Sequence, residues 1–269
     1  MSGPTVYLQP WIVNDIRECY FYHTMDVPGY GEVKGEWDLR GREAQYLGNV
    51  FLKGKRVLEV GTASGFLCFY MEKQGAQVVA YDLSQDQDWD MVPFSRIDEE
   101  RARQMIRQRK EHVRRINNGY WLAHRANRSQ ARVVYGTAYE IPREIGDVDI
   151  SIFGSVLLHL RDPFLALQSA AALTRETIVV SDRSSKRVRY FERVARKLGV
   201  RLPIMAFWPD YRTCEPHETW WRLSPSLVES FLCVLGFEET RVSYSTYQHK
   251  LGKVEGYTVV AHRTRLRRE

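Results

Sequence analysis

The residues whose types and spacing point most directly to chemistry are Glu59, Gly61, Gly65 and Asp82. They stand in the stretch Val57-Leu58-Glu59-Val60-Gly61-Thr62-Ala63-Ser64-Gly65-Phe66 and, seventeen positions after Gly65, at the end of Gln77-Val78-Val79-Ala80-Tyr81-Asp82. Strand, glycine turn, helix and a distal acid describe a nucleotide crevice at the carboxyl ends of parallel strands. Glycine at 61 lets the backbone turn tightly, and glycine at 65 lets the following helix approach a ligand. An acid at 82 is placed to accept hydrogen bonds from both hydroxyls of a ribose, each worth roughly 1.5–3 kcal/mol.

The spacing also selects among nucleotides. A dinucleotide site needs G-x-G-x-x-G, whose second glycine admits the pyrophosphate. Here Ala63 holds that position and Phe66 holds the third. A phosphate-binding loop is excluded as well, because no Gly-Lys-Ser/Thr follows. A cofactor without phosphates, carrying a cationic sulfonium and an amino-acid tail, tolerates such a turn and benefits from a carboxylate such as Glu59 nearby. S-adenosylmethionine (SAM) fits that description.

The elements that must position these residues alternate between β-branched runs and helical stretches, which argues for a parallel sheet with crossover helices. Arg56 to Val60 reads as the first strand, Phe66 to Met71 as a helix, and Gln77 to Tyr81 as the second strand. Asp86, Asp88 and Asp90 alternate in the next loop, but the glycine and closing glutamate of a calcium loop are missing, so no metal is expected. Ser95 and Asp98 predict a capping box for a long amphipathic helix bearing Met105, Ile106, Val113, Ile116 and Tyr120 on one face, with Asn118-Gly119 as its stop signal. Ala131 to Tyr135, Val148 to Phe153 and Thr177 to Ser181 continue the sheet. Phe237 to Tyr244 and Gly256 to His262 complete it, after a helix from Ser226 to Leu235. The expected fold is therefore α/β, a Rossmann-like, doubly wound, mostly parallel seven-stranded sheet. Residues 1–50 read as an N-terminal helical extension, with a helix over about Trp11 to Tyr22, and 51–269 as the cofactor-binding domain. The extension either covers the site as a lid or packs on the sheet edge.

Beyond these local features, Glu59-x-Gly61-x-x-x-Gly65 with Asp82 resembles the motif of class I SAM-dependent methyltransferases. Four further pieces resemble the branch containing the bacterial enzyme that finishes the 5-oxyacetyl modification of the tRNA wobble uridine. These are Tyr22-His23-Thr24-Met25-Asp26, Gly35-Glu36-Trp37-Asp38, Gly154-Ser155-Val156-Leu157-Leu158-His159-Leu160-Arg161-Asp162-Pro163 and Leu223-Ser224-Pro225-Ser226-Leu227. The tRNA enzyme transfers a carboxymethyl group and carries Tyr before the motif histidine and Lys before the Trp-Asp pair. Leu158 and Glu36 stand there in this chain, so the resemblance implies plain SAM and methyl transfer. It assigns the cofactor to Glu59, Gly61, Thr62, Ala63, Gly65, Asp82, Leu83, Thr137, Ala138 and Gly154. Thr137 stands where many relatives place an acid.

A hydroxyl acceptor needs its proton removed, and histidine suits that task. His159, where the resemblance places the mouth of the site, and His23, at the head of the extension, are the candidates. Each has a plain alternative as a structural histidine bonded to backbone. Trp37, Trp208 and Tyr211 are candidates for contact with the acceptor, the last two from the aromatic group Phe207, Trp208, Tyr211, Trp220 and Trp221. Aromatic faces there suit a flat acceptor or an unpaired base, and core packing equally.

Composition bounds the partners. With 44% hydrophobic and 27% charged residues, the 269-residue chain is that of an ordinary globular protein. No apolar run reaches the roughly 20 residues of a membrane span. Met1-Ser2-Gly3-Pro4 lacks the start of a secretory signal, so the expected location is the cytoplasm. Cys19, Cys68, Cys214 and Cys233 are too scattered for a zinc or disulfide framework. The net charge of +6 gathers between Arg96 and Arg132 and in the tail from His262 to Arg268. This charge fits either solvated helix faces or an RNA partner. A small-molecule acceptor is the leading expectation, a tRNA base the second, and a non-catalytic SAM-binding protein the third.

Overall fold

Runs of valine, isoleucine and leucine without polar alternation make strands covered on both faces, and five such runs form the centre of the molecule. The computed structural model describes residues 5–184, 186–210, 212 and 218–265. In chain order its strands are β1 (Met25–Val27), β2 (Gly31–Val33), β3 (Trp37–Asp38), β4 (Arg56–Val60), β5 (Gln77–Asp82), β6 (Arg132–Tyr135), β7 (Val148–Gly154), β8 (Thr174–Arg183), β9 (Met205–Phe207), β10 (Trp221–Leu223), β11 (Glu239–His249) and β12 (Gly252–His262). Its α-helices are α1 (Glu43–Tyr46), α2 (Phe66–Lys73), α3 (Glu99–Asn127), α4 (Pro163–Ala171), α5 (Lys186–Lys197) and α6 (Pro225–Val234).

The main sheet runs β3-β11-β12-β8-β7-β4-β5-β6. Strands β4 to β8 pair in parallel, while β12, β11 and β3 attach antiparallel. The expected doubly wound, seven-stranded sheet is thus present, and the short β3 adds an eighth strand at its edge. Chain order reverses between β4 and β7, which opens a crevice at their carboxyl ends. Side-chain alternation along β4 sends Val57 to one core and Leu58 to the other. The first core packs Val57, Ile150 and Val179 against Leu67 of α2 and Tyr120 and Trp121 of α3. The second packs Leu58, Val79 and Val180 against Ala166 and Leu167 of α4 and Val228 and Leu232 of α6.

Two local expectations are corrected. The helix over Trp11 to Tyr22 is absent; a single 3-10 turn, Ile16–Glu18, is capped by Asp15. The surrounding segment is held by tertiary bonds instead, from the Leu8 amide to the Val133 carbonyl (2.9 Å) and from the Tyr20 amide to the Arg115 carbonyl (2.8 Å). Asn118-Gly119 does not stop α3, which runs eight residues further to Asn127. A Cβ at Gly119 would lie 2.7 Å from the Tyr20 carbonyl oxygen, and Asn118 Nδ2 donates to the Glu18 carbonyl at 3.2 Å. The pair is a landing site for the N-terminal segment. The cap of α3 is Asp98 alone, whose Oδ1 accepts from the Arg101 amide at 2.8 Å.

Candidate active site

The crevice is a cavity of about 660 Å³, within the usual range for small-molecule and cofactor sites. Its floor is the carboxyl ends of the parallel strands: Val60 and Gly61 after β4, Tyr81 to Leu83 after β5, Gly136 to Ala138 after β6, and Gly154 and Ser155 after β7. One face of α3, carrying Arg109, His112, Val113, Ile116 and Asn117, makes a wall.

The turn after β4 is locked from several sides. The Gly61 amide donates to the Tyr81 carbonyl at 2.8 Å and the Gly65 amide to the Thr62 carbonyl at 2.9 Å. Gly61 sits at φ 80° and Gly65 at φ 87°, the left-handed region that glycine adopts without penalty. A Cβ at Gly61 would lie 2.3 Å from Val156 Cγ2, and one at Gly65 would lie 2.5 Å from the Phe69 ring. These two glycines therefore serve the packing of the turn against its neighbours. Gly61→Ala is expected to destabilise the protein by about 1–3 kcal/mol through overpacking and positive φ. Chemical denaturation checks this, and Val156→Ala in the same chain should recover part of the loss.

Ala63, at φ 49°, lines the cavity where a dinucleotide site needs glycine. Its amide donates to Asp82 Oδ2 at 2.7 Å, and the Leu83 amide donates to Oδ1 at 2.8 Å. Each carboxylate oxygen has a second lone pair to offer, and Asp82 lines the cavity. Burial pushes the Asp82 carboxyl up to about 6, against the pull of the two amide bonds. Asn117 Nδ2 on α3 donates to the Leu83 carbonyl at 3.1 Å and holds the loop after Asp82. Tyr81 Oη donates to the Thr137 carbonyl at 2.9 Å, setting the rim after β6.

Of the residues the sequence assigns to a cofactor, Gly61, Ala63, Asp82, Leu83, Thr137, Ala138 and Gly154 line the cavity. Glu59, Thr62 and Gly65 lie behind its lining. Glu59 accepts from Thr62 Oγ1 at 2.7 Å, and burial pushes its carboxyl up to about 8, so it braces the turn in a largely neutral form at pH 7.

Both candidate histidines line the same cavity. His159 follows β7 and its Nδ1 is 2.8 Å from the Glu218 carbonyl oxygen. A carbonyl only accepts, so Nδ1 carries the proton and Nε2 is left with its lone pair in the neutral ring. Burial lowers the His159 pKa, which favours that neutral ring. His23 stacks on Phe66 with ring centroids 5.4 Å apart. Its Nδ1 is buried without a partner, and burial pushes its pKa down to about 4. Trp37 is buried and borders a smaller adjoining chamber, with the Arg183 guanidinium 4.7 Å from its ring centroid. Trp208 borders neither space; its ring lies 3.6 Å from the Arg222 guanidinium. Tyr211 lies outside the described residues.

Several lining residues escaped the sequence reading. Arg109 pairs with Glu218 across the mouth, and Trp89 lies beside Arg109, with His159 at a ring-centroid distance of 6.2 Å. The spacing of 109, 112, 113, 116 and 117 on one helix face was the available signal. Arg183 at the end of β8 had none, whereas Ser155, at φ 54°, lies within the Gly154-to-Pro163 stretch that carries the resemblance.

No protein-family model matches the chain, and no curated protein matches it. Solved structures do. The N-terminal domain of EvdMO1, determined in the presence of S-adenosylhomocysteine (SAH) and D-fucose, is 15% identical, over 89% of this chain and 90% of that one, with a TM-score of 0.52. The 1,6-didemethyltoxoflavin-N1-methyltransferase of Burkholderia thailandensis is 13% identical, over 84% and 78%, with a TM-score of 0.47. The magnesium protoporphyrin IX methyltransferase of Synechocystis PCC 6803 is 14% identical, over 82% and 80%, with a TM-score of 0.46. At such identities a likeness speaks for the fold alone, and the EvdMO1 domain carries it: the chain has the Rossmann-like, doubly wound α/β fold.

Proposed function

We propose that this chain is a SAM-dependent methyltransferase acting on a small-molecule acceptor. The observation that carries the reading is Asp82. It is a carboxylate at the end of β5, braced by the Ala63 and Leu83 amides and facing the crevice with its remaining lone pairs. Those lone pairs suit ribose hydroxyls. The Ala63 side chain in the lining suits a nucleoside without a pyrophosphate, and the fold is shared with a domain solved with SAH. Asp82, Leu83, Ala63, Thr137 and Ala138 would hold SAM, with Gly61 and Gly154 closing the floor. When bound, SAM supplies a methyl group on a sulfonium, activated toward displacement.

The chain's own contribution is position and proton transfer. Walls from α3, β7 and the segment around His23 fix an acceptor close to the donor, which can supply much of the rate. His159 is suited to take the proton of a hydroxyl or ammonium acceptor, because its Glu218 bond sets the tautomer. A small acceptor is favoured over RNA by how the positive charge is committed. Arg103 and Arg107 pair with Glu99 and Glu100, Arg109 with Glu218, Lys110 with Asp88 and Arg114 with Glu111.

Isothermal titration with SAM, SAH and NAD, followed by labelling of small-molecule and tRNA extracts with methyl-tritiated SAM, tests the proposal. The expected result is micromolar SAM and SAH binding, no NAD binding, and label in the small-molecule fraction at a rate nearly independent of salt. Label in tRNA that falls steeply with salt would move the acceptor to RNA. Tight SAM binding with no label in any extract would make the chain a SAM-binding protein. No SAM or SAH binding by folded protein overturns the reading.

A further inference from the structure

Six buried side-chain nitrogen and oxygen atoms among the described residues have no hydrogen-bond partner. Four of these, His23 Nδ1, Asp182 Oδ2, Arg183 Nε and Tyr247 Oη, belong to residues that line one small chamber. The chamber encloses about 20 Å³, room for a single water-sized group. Tyr22, His23, Gly154, Ser155 and Arg183 line both this chamber and the large cavity, so the two spaces adjoin. An unsatisfied buried polar group costs roughly 1–3 kcal/mol. Four on the residues around one opening mark a place to be filled.

The donor set says by what. Asp182 is 6% exposed, and its Oδ1 already accepts from the Arg183 amide at 2.6 Å, which leaves Oδ2 as a free acceptor. The Tyr247 hydroxyl and the Arg183 Nε–H are free donors. An ammonium cannot accept from them, and a carboxylate is both too large and repelled by Asp182. A hydroxyl does both within the space of one water. The opening lies on the side of the large cavity formed by His23, Tyr22 and Ser155, away from the Asp82, Leu83 and Ala138 side that suits a nucleoside.

We propose that this chamber is a specificity subsite that receives one hydroxyl of a hydroxyl-bearing small acceptor. That hydroxyl donates to Asp182 Oδ2 and accepts from Tyr247 or Arg183. The inference rests on the methyltransferase reading for the contents of the large cavity. Asp182 and Tyr247 act here as positioning residues, holding the acceptor while other groups move its proton.

Equilibrium capture tests it. SAH-saturated protein is equilibrated with total small-molecule extract and filtered, and both SAH and the retained compounds are read by mass spectrometry. The same is done with Asp182→Asn and Tyr247→Phe. In the asparagine variant the Arg183 amide still claims Oδ1, so an NH₂ group faces the chamber and the hydroxyl proton loses its acceptor. The expected result is a hydroxylated compound retained by the wild-type protein and bound about tenfold or more weakly by each folded variant, with SAH retained within about twofold. Variants that retain the compound as the wild type does overturn the proposal and make the chamber a water site. So does wild-type protein that retains SAH but no hydroxylated compound. Loss of SAH itself from the wild type would instead strike the cofactor reading, and the two failures are read separately in one sample.

Discussion

Replacing Asp82 with alanine is expected to weaken SAH binding by about a hundredfold or more in isothermal titration. The figure follows from two charge-assisted hydrogen bonds to ribose hydroxyls at roughly 1.5–3 kcal/mol each, where 1.4 kcal/mol is tenfold. The substitution also frees the Ala63 and Leu83 amides, which Asp82 holds at 2.7 and 2.8 Å. Loosening of the turn therefore adds to the loss. Asp82→Asn separates the contributions, because an amide oxygen keeps one acceptor but no charge; its loss should fall between the wild type and alanine. A pH series supplies an independent check. Burial raises the Asp82 carboxyl to about 6, above an unfolded value near 3.9. Charging it therefore withdraws stability from the free protein as pH rises from about 4 through 6. Ribose hydroxyls that donate to the carboxylate favour the charged form. SAH affinity should then hold above pH 6 and decline as pH falls through it, while the asparagine variant should show no such step. Alanine-variant affinity equal to wild type would remove Asp82 from the cofactor site.

The sheet and the turn at the floor of the crevice were largely legible in the sequence because both are local. β4, β5, β6, β7 and β8 each announce themselves as short β-branched runs, and the glycine turn and Asp82 lie at the ends of two of them. What failed were signals whose meaning depends on distant chain. Asn118-Gly119 has the composition of a helix stop, yet it sits mid-helix because Tyr20 approaches too closely for a side chain at 119. The segment from Trp11 to Tyr22 has apolar residues at helical spacing, but the Tyr20 amide bonds to the Arg115 carbonyl, a partner more than ninety residues away. Arg183, Tyr247 and Asp182 gave no sequence signal for a related reason. They come together only because β12 and β11 fold back beside β8, and nothing in a single strand reveals its neighbour across the sheet. Glu59 shows the opposite case. Its place beside the glycine turn suggests a charge offered to the cofactor, and only three-dimensional burial shows it turned toward Thr62.

His159→Ala is expected to lower the rate of methyl transfer by about 10²- to 10⁴-fold, while SAH affinity stays within about twofold. The split between rate and affinity is the point of the experiment. His159 lines the crevice on the β7 side, away from Asp82, and its backbone-bonded Nδ1 leaves Nε2 free to accept a proton. The two histidines of the crevice differ in their hydrogen bonds: His159 Nδ1 faces the Glu218 carbonyl, and His23 Nδ1 has no partner. Burial holds the His23 pKa near 4, far from the pH at which a base is most effective, and His23 also borders the small chamber that we assign to acceptor recognition. His159 also has its pKa lowered by burial. The wild-type rate should therefore stay level from neutral pH down through 6.5 and fall only below the usual imidazole range, as the ring takes up a proton. His23→Ala should leave that acid limb where it is; a limb that moves with His23 instead would exchange the two assignments. If transfer survives His159→Ala at the wild-type rate, the histidine serves only to anchor Glu218. The Glu218 carboxylate pairs with Arg109 across the mouth, so such an anchor would still shape the opening through which an acceptor must pass.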